Sequence, residues 1–239
     1  MLKKLFTLAL TAAAGTVMAT TIHLSGDSTC ASYRAQLAPL TGWGQVLNQF
    51  AAPGVSVKNW ALSGASTKSF IDKGRWAALL SKVKKGDYVL IQFGHNDQKK
   101  NHPKYADAAV AYPANLKKMI ADVRAKGATP VLVTSIVRCV FDKSGSKLKD
   151  GGLYAYRDAC FAVGKSENVA VVNFNGVTEE KVNALGKTEA LKLYMYTSEV
   201  KGRKGKDITH LNKEGAVVFA GWFVEECKKQ NIPLAKCFK

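Results

Sequence analysis

The sequence is poor in acidic residues. It has only 18 aspartates and glutamates against 35 lysines and arginines, which gives the 239-residue chain a formal net charge of +17 at pH 7. An excess of positive charge favours polyanionic partners or surfaces, and nucleic acid, acidic lipid and acidic polysaccharide all qualify. The charge alone does not choose among these three.

Long hydrophobic runs are also scarce. One apolar stretch follows Lys3 and Lys4 and ends at Ala19 in the small-residue pattern that precedes a signal-peptide cleavage site. It is shorter than the roughly 20 residues of a membrane span, and no later segment of the sequence reaches that length. We therefore expect residues 1–19 to be a secretory signal peptide, removed from a secreted or periplasmic chain of residues 20–239. No stable membrane insertion is expected.

Export also narrows the choice of partner. The predicted signal peptide carries two lysines and no acidic residue, so the chain without it keeps a net charge of +15. For an exported protein we expect the polyanion to be acidic polysaccharide rather than nucleic acid. We further expect a monomer.

The chain has only five cysteines and no C-x-x-C spacing, so a structural zinc site has little support. An oxidising compartment permits disulfides, and an odd number leaves at least one thiol unpaired. Cys227 and Cys237 are close in sequence and are our first choice for a disulfide. Cys139 with Cys160 is a second choice, and Cys30 would then stay free. The sequence alone does not fix this connectivity.

Short apolar runs rich in β-branched residues alternate with longer helical patterns. The short runs predict strands at 21–24, 55–60, 88–93, 130–137 and 169–174. The helical patterns lie at 44–51, 75–83, 110–126, 153–166 and 212–229. Lys126-Gly127 is expected to end one helix and Asn212 to cap the last. This alternation predicts one α/β domain with a parallel sheet covered by helices on both faces.

Polar segments follow the predicted strands, and ligands of such sheets bind beyond the carboxyl ends of the strands. Three polar loops, at 97–109, 142–152 and 199–206, are long enough to take part in a site. We therefore expect the functional residues to lie just after the strands.

Four short blocks at these places could together form a serine hydrolase. Ser28 could attack a carbonyl, His210 could take its proton, and Asp207 could orient the imidazole. The backbone N–H groups of Ser28 and Gly64 and the side-chain amide of Asn96 could hold the oxyanion. We expect Ser28 at a helix N-terminus, where exposed amides and the helix dipole favour negative charge.

Taken alone, each block has an ordinary interpretation. Gly-Asp-Ser after a strand is usually a turn, and an aspartate three residues before a histidine is common by chance. Histidines in loops are more often exposed to solvent than catalytic, so His95 and His102 receive no catalytic role. His23 lies within a predicted strand and receives none either.

All four blocks occur once and in a fixed order, and in this the sequence resembles the SGNH, or GDSL-type, esterases and lipases over nearly the whole chain after residue 19. Ser28, Gly64, Asn96 and His210 fall on the four positions that name this superfamily, and Asp207 falls on its triad carboxylate. Position 30 is a cysteine, so the G-x-S-x-G elbow of the α/β-hydrolases is absent.

A narrower resemblance is to the rhamnogalacturonan acetylesterases, which remove acetyl groups from galacturonate residues of pectin. The segments that carry it are Gly26-Asp27-Ser28-Thr29, Gly42-Trp43-Gly44, Gly74-Arg75-Trp76, Gly86-Asp87-Tyr88-Val89, Phe93-Gly94-His95-Asn96-Asp97, and Asp207-Ile208-Thr209-His210 with Gly215-Ala216. The resemblance implies a three-layer α/β/α, flavodoxin-like fold with a five-stranded parallel sheet. It also implies a Ser-His-Asp triad that needs no metal or other cofactor.

The loop after Asp97 does not match a substrate-specific pattern, and such loops set substrate choice. Another acetylated polymer such as xylan, or a lipid ester, therefore remains an alternative substrate. A non-catalytic binder of polyanions is the alternative from a different class.

Two basic runs are expected to form a positive rim around Ser28, because each adjoins a block of the predicted site. The positive rim comprises Lys99, Lys100, Lys201, Arg203, Lys204 and Lys206. It would attract the carboxylates of a galacturonate-containing chain, and salt would screen the attraction.

Overall fold

The structure is a computed structural model that describes residues 20–198, 200 and 205–239. The predicted signal peptide, residues 1–19, lies outside this range. The strands are β1 (Thr20–Gly26), β2 (Val55–Asn59), β3 (Tyr88–Gln92), β4 (Thr129–Val133) and β5 (Val171–Val172). The α-helices are α1 (Trp43–Val46), α2 (Thr67–Asp72), α3 (Arg75–Leu80), α4 (Ala111–Ala125), α5 (Tyr154–Glu167), α6 (Phe174–Leu191) and α7 (Lys213–Lys229). In the described part of the chain, no helix is both long and apolar enough to cross a membrane.

The five strands form one parallel sheet in the order β2-β1-β3-β4-β5. The chain moves outward from β1 to β2 and then returns to the other side of β1 with β3, so the strand order reverses between β1 and β3. The last residues of these two strands, Gly26 and Gln92, are register partners. A reversal of this kind leaves a crevice beyond the carboxyl ends of the strands, which is where ligands bind in doubly wound sheets.

Two hydrophobic clusters cover the two faces of the sheet. Along β3, Leu90 belongs to one cluster, whereas Val89 and Ile91 belong to the other, because successive side chains of a strand point to opposite faces. The first cluster contains aromatic rings of α1, α6 and α7, and the second contains those of α2 to α5. The predicted three-layer α/β/α architecture with a five-stranded parallel sheet is thus confirmed.

Strand β4 ends at Val133, four residues before the predicted end. The residues that follow are apolar enough to resemble a strand. Thr134 N still donates to Val172 O of β5 at 3.1 Å, but the polar groups of Ser135 bond to the loop after β3 and to α6. Ser135 Oγ donates to Phe93 O at 2.7 Å, and Asn175 Nδ2 donates to Ser135 O at 3.0 Å. This segment therefore leaves the sheet and enters the region beyond the strand ends.

Most predicted helices are present with small shifts at their ends, although the one predicted at 44–51 divides into α1 and a 3₁₀ helix, Leu47–Phe50. Asn212 caps α7 as predicted, with its Oδ1 accepting from Gly215 N at 2.9 Å. Helix α6 was not predicted. Asn173 Oδ1 accepts from Gly176 N at 3.0 Å and starts this helix inside the segment predicted as the last strand.

The predicted disulfide between Cys227 and Cys237 is wrong, as is the second choice between Cys139 and Cys160. All five cysteines are buried free thiols, and Cys30 is free as expected. Cys227 lies on α7 and Cys237 in the 3₁₀ helix Pro233–Cys237, and both belong to the first hydrophobic cluster. They pack there as small apolar side chains, which is how free cysteines commonly behave.

Candidate active site

Ser28 lies in a tight turn directly after β1 and is 8% exposed. The prediction of a helix N-terminus at this serine is wrong, because α1 begins only at Trp43. The turn closes with Cys30 N–H donating to Asp27 O at 3.4 Å. The hydroxyl of Tyr33 donates to Ser28 O at 2.6 Å and fixes the peptide that follows the serine.

The carboxylate of Asp27 stabilises this turn through hydrogen bonds. It is fully buried, and its Oδ1 accepts from Thr29 N at 2.9 Å and from Thr29 Oγ1 at 2.8 Å. Burial raises the pKa of Asp27, while these bonds from Thr29 oppose the rise. Gly26 must be glycine, since a Cβ there would lie 2.3 Å from Cys30 Sγ.

His210 and Asp207 reach Ser28 from the segment before α7. Asp207 Oδ1 accepts from Thr209 N at 2.9 Å and from His210 N at 3.0 Å, which closes a small turn. Its Oδ2 lies 2.7 Å from His210 Nδ1, and His210 Nε2 lies 2.9 Å from Ser28 Oγ. A carboxylate can only accept, so Nδ1 carries the proton and Nε2 is the acceptor that faces the serine hydroxyl.

The electrostatics of this pair favour an ionised aspartate. Burial alone raises the pKa of Asp207, but the hydrogen bond and charge of His210 and the two backbone amides hold it well below its ordinary value. Asp207 therefore supplies a full negative charge beside the imidazole at neutral pH.

The two other predicted oxyanion residues lie beyond β2 and β3. Gly64 has a φ of +78°, in the left-handed region that favours glycine. Asn96 is 3% exposed, and its Nδ2 donates to Ala65 O at 2.9 Å. A primary amide has two N–H groups, so this bond leaves one N–H of Asn96 for a ligand.

Two buried residues fix the loop on either side of Asn96. His95 is 2% exposed, contrary to the expectation of an exposed loop histidine, and its Nε2 lies 3.0 Å from Ile136 O. Asp97 Oδ1 accepts from Thr67 N at 2.9 Å and from Thr67 Oγ1 at 2.5 Å. Burial raises the pKa of Asp97 to about 7. His102 is exposed, as expected.

Sequence reasoning missed several residues of this region. Tyr33 and Thr67 support the site through hydrogen bonds that no sequence pattern marks. Arg138 is half-buried and places a positive charge near Asp27 and Asp207, and its position shortly after β4 was a usable signal. Lys104 contacts Gly64 across 40 positions of sequence. Among the described residues, no group of histidine, cysteine and acidic side chains has the arrangement of a metal site.

Comparison with known proteins identifies the family of this chain. The profile of the GDSL-like lipase/acylhydrolase family matches residues 24–218. Rhamnogalacturonan acetylesterase RhgT of Bacillus subtilis (strain 168) is 36% identical over 217 residues, which are 89% of this chain and 91% of that protein. The probable rhamnogalacturonan acetylesterase YesY of the same organism is 32% identical over 223 residues, covering 92% of this chain and 97% of that one.

Solved structures agree with the assignment. The crystal structure of YxiM from Bacillus subtilis superposes with a TM-score of 0.78 at 29% identity, covering 90% of this chain and 57% of that longer one. Axe2, an acetylxylan esterase from Geobacillus stearothermophilus, has a TM-score of 0.60 at 18% identity, covering 87% of this chain and 93% of that one, which shows a shared fold. The chain belongs to the GDSL-like lipase/acylhydrolase family and is a carboxylic ester hydrolase.

Proposed function

We propose that this protein removes acetyl groups from acetylated rhamnogalacturonan, with Ser28, His210 and Asp207 as its catalytic triad. The observation that carries the proposal is the continuous hydrogen-bonded chain from Ser28 Oγ through the imidazole to Asp207, with links of 2.9 and 2.7 Å. The choice of substrate is supported by relatives named rhamnogalacturonan acetylesterase that match most of the chain.

The reaction follows from the tautomer of the imidazole. His210 Nε2 takes the proton of Ser28 Oγ as the oxygen attacks the acetyl carbonyl, and Asp207 stabilises the imidazolium that forms. The N–H groups of Ser28 and Gly64 and the free N–H of Asn96 hold the oxyanion. His210 then gives this proton to the departing sugar oxygen, which leaves as a hydroxyl. Water, deprotonated by the same imidazole, then attacks the acetyl-serine, and His210 returns the proton to Ser28 Oγ as acetate leaves.

The positive rim is part of the proposal. Lys99, Lys100 and Lys206 are exposed, whereas Lys201, Arg203 and Lys204 lie outside the described residues. Such a rim concentrates an acidic polymer near the site, and salt screens this attraction over about 8–10 Å. Added salt should therefore raise KM for acetylated pectic polymer and barely change the hydrolysis of a neutral acetyl ester.

The proposal also includes export, since acidic polysaccharide of plant cell walls is met outside the cell. Its support is the charged start, apolar stretch and small-residue end of residues 1–19. The mass of the chain recovered from the medium or periplasm tests it, with cleavage after Ala19 as the expected result.

The deciding experiment is acetate release from a panel of substrates. The panel contains acetylated rhamnogalacturonan, acetylated xylan and a long-chain ester, each at equal ester concentration, with Ser28→Ala as the matched inactive variant. We expect the highest kcat/KM on rhamnogalacturonan and no release by the variant. A higher kcat/KM on xylan, or on the long-chain ester, would assign the protein to that substrate instead.

A further inference from the structure

A cavity opens beside Gly64. It has a volume of about 230 Å³ and is bordered by the turn after β2, by α2 with Lys73, and by the loop after β3. We name it the Lys104 pocket, and its lining residues are Gly64, Lys68, Ser69, Asp72, Lys73, His102, Pro103 and Lys104.

The Lys104 pocket has an excess of positive charge. Lys68 forms an ion pair with Asp72 one turn along α2, which balances those two charges. In the described part of the chain, no carboxylate forms an ion pair with Lys73 or Lys104. Partial burial lowers the pKa of Lys104, and the positive charges of Lys99 and Lys73 lower it further. An anion bound here would relieve this repulsion.

The position of Lys104 is fixed relative to the candidate active site. Its Nζ donates to Gly64 O at 2.9 Å and lies 3.6 Å from the place that a Cβ on Gly64 would occupy. The ammonium thus contacts the residue whose N–H is a proposed oxyanion donor. An ammonium has three N–H donors, so two remain for a ligand.

We propose that the Lys104 pocket binds the carboxylate of a uronate unit in the ester substrate, with Lys104 and Lys73 as its ligands. This inference rests on the proposed ester hydrolysis at Ser28. A carboxylate that binds this close to the oxyanion site belongs to the same polysaccharide molecule as the acetyl ester under attack. Pairing between ammonium and carboxylate therefore selects acetylated uronate polymers over neutral acetylated polymers.

The test uses one oligosaccharide in two forms. Acetylated rhamnogalacturonan oligosaccharide is compared with the same oligosaccharide after its carboxyl groups have been reduced to alcohols. The measured quantity is the selectivity, the ratio of kcat/KM on the acidic form to kcat/KM on the reduced form. It is determined for the wild type, Lys104→Gln and Lys73→Gln. Lys126→Gln is the matched control, because it removes one exposed positive charge near the amino end of β4.

We expect the selectivity to fall about tenfold in Lys104→Gln and about threefold in Lys73→Gln, mainly through KM, as for the loss of a charge-assisted hydrogen bond. Lys126→Gln should keep the wild-type selectivity. An equal fall in Lys126→Gln would mean long-range attraction and would overturn the site. Equal losses on both substrate forms in Lys104→Gln, with no change in Lys73→Gln, would also overturn it, because Lys104 would then only support Gly64.

A competition arm distinguishes uronate from free anions. At constant ionic strength, galacturonate should inhibit hydrolysis of a neutral acetyl ester by the wild type, and the inhibition should weaken in Lys73→Gln. Equal inhibition by inorganic phosphate would overturn the assignment to a uronate. If the wild type released acetate from neither oligosaccharide, the proposed function itself would fail, and the subsite with it. Acetate release with unchanged selectivity in both lysine variants would remove the subsite alone.

Discussion

Among the residues that the structure describes, two pairs of histidine and aspartate lie at opposite ends of the sheet. At the carboxyl end, His210 lies 2.7 Å from Asp207 and 2.9 Å from Ser28 Oγ. At the amino end, His23 Nε2 lies 3.2 Å from Asp87 Oδ2. Each aspartate also accepts two backbone N–H groups, so the local chemistry of the two pairs is alike.

The partner on the other imidazole nitrogen distinguishes them. His23 Nδ1 accepts from the indole Nε1 of Trp60 at 3.2 Å, and an indole N–H can only donate. The proton of His23 is therefore on Nε2, toward its aspartate, and the lone pair of Nδ1 is already used by the indole, so neither nitrogen can take a proton from a nucleophile. His210 has the opposite tautomer, and its unprotonated Nε2 accepts from the hydroxyl of Ser28. Only one pair can activate a nucleophile.

Exposure differs as well. The His23 side chain is 1% exposed, whereas that of His210 is 18% exposed. Burial lowers the pKa of His23, so this imidazole stays neutral inside the protein. A histidine beside an aspartate is thus a structural element when both are enclosed, and it becomes a candidate base only where substrate can reach it.

The largest effect should come from removing the residue that contacts the second imidazole nitrogen of each pair, Ser28 beside His210 and Trp60 beside His23. Ser28→Ala should lower ester hydrolysis by roughly 10⁴–10⁶-fold, since the nucleophile is lost, and should leave the fold intact. Trp60→Phe should keep kcat within about threefold and lower the free energy of unfolding by about 1–3 kcal/mol, because a buried imidazole nitrogen loses its donor. Acetate release and urea unfolding check the two expectations.

Substantial acetate release by correctly folded Ser28→Ala would move the nucleophile to another residue. A similar loss of activity in Trp60→Phe would show that the amino end of the sheet affects catalysis. It would contradict the purely structural role of the His23–Asp87 pair.

Exchanging each aspartate for asparagine is the next test. Asp207→Asn should lower kcat by about 10⁴-fold, because an amide neither fixes the productive tautomer nor stabilises the imidazolium. Asp87→Asn should leave kcat within about threefold and destabilise the fold by about 1–3 kcal/mol. Steady-state kinetics and unfolding of both variants give the answer. Near-wild-type turnover of Asp207→Asn would mean that another carboxylate orients His210.

The sequence predicted the fold class and the family because both depend on local signals. Apolar runs mark the strands, and the polar blocks after them mark the strand ends that parallel pairing brings together. These signals located Ser28, Gly64 and Asn96 at one edge of the sheet. Their roles as nucleophile and oxyanion donors stay predictions until the variants are measured.

The remaining features depend on contacts between distant segments. Thr67 bonds to Asp97 across 30 positions, and Lys104 to Gly64 across 40, and neither pair has a spacing that could reveal it. The predicted disulfide was wrong because closeness in sequence does not report how two thiols pack. Helix α6 was missed because Phe174, at its start, continues the apolar run of the preceding strand.

An oxyanion donor is a feature that only the carboxyl end should possess. Asn96→Ala should lower kcat by about 10²–10³-fold through loss of one such donor. Asn175→Ala is the matched control, because this buried asparagine also donates its Nδ2 to a backbone carbonyl, Ser135 O. It should destabilise the fold without lowering kcat on a neutral acetyl ester. Equal kinetic losses in the two variants would assign the effect of Asn96 to loop support.

The smallest effect concerns the pH dependence of the amino-end pair. His23→Gln should lower the free energy of unfolding by about 1–3 kcal/mol at pH 8, because the contacts of the imidazole are lost. An unfolded histidine titrates near pH 6.5, whereas burial lowers the pKa of folded His23, with Lys58 adding to the shift and Asp87 opposing it. Below that pH the unfolded wild-type chain binds a proton that the folded chain does not, so the wild type loses stability as the pH falls through 6.5. The glutamine variant lacks this loss, and the difference between the two proteins should narrow at pH 5.

Urea unfolding of both proteins at pH 8 and pH 5 measures this difference in the free energy of unfolding. A difference that widens at pH 5 would mean that Asp87 holds His23 in its charged form, and the two pairs would then differ in access but not in electrostatics.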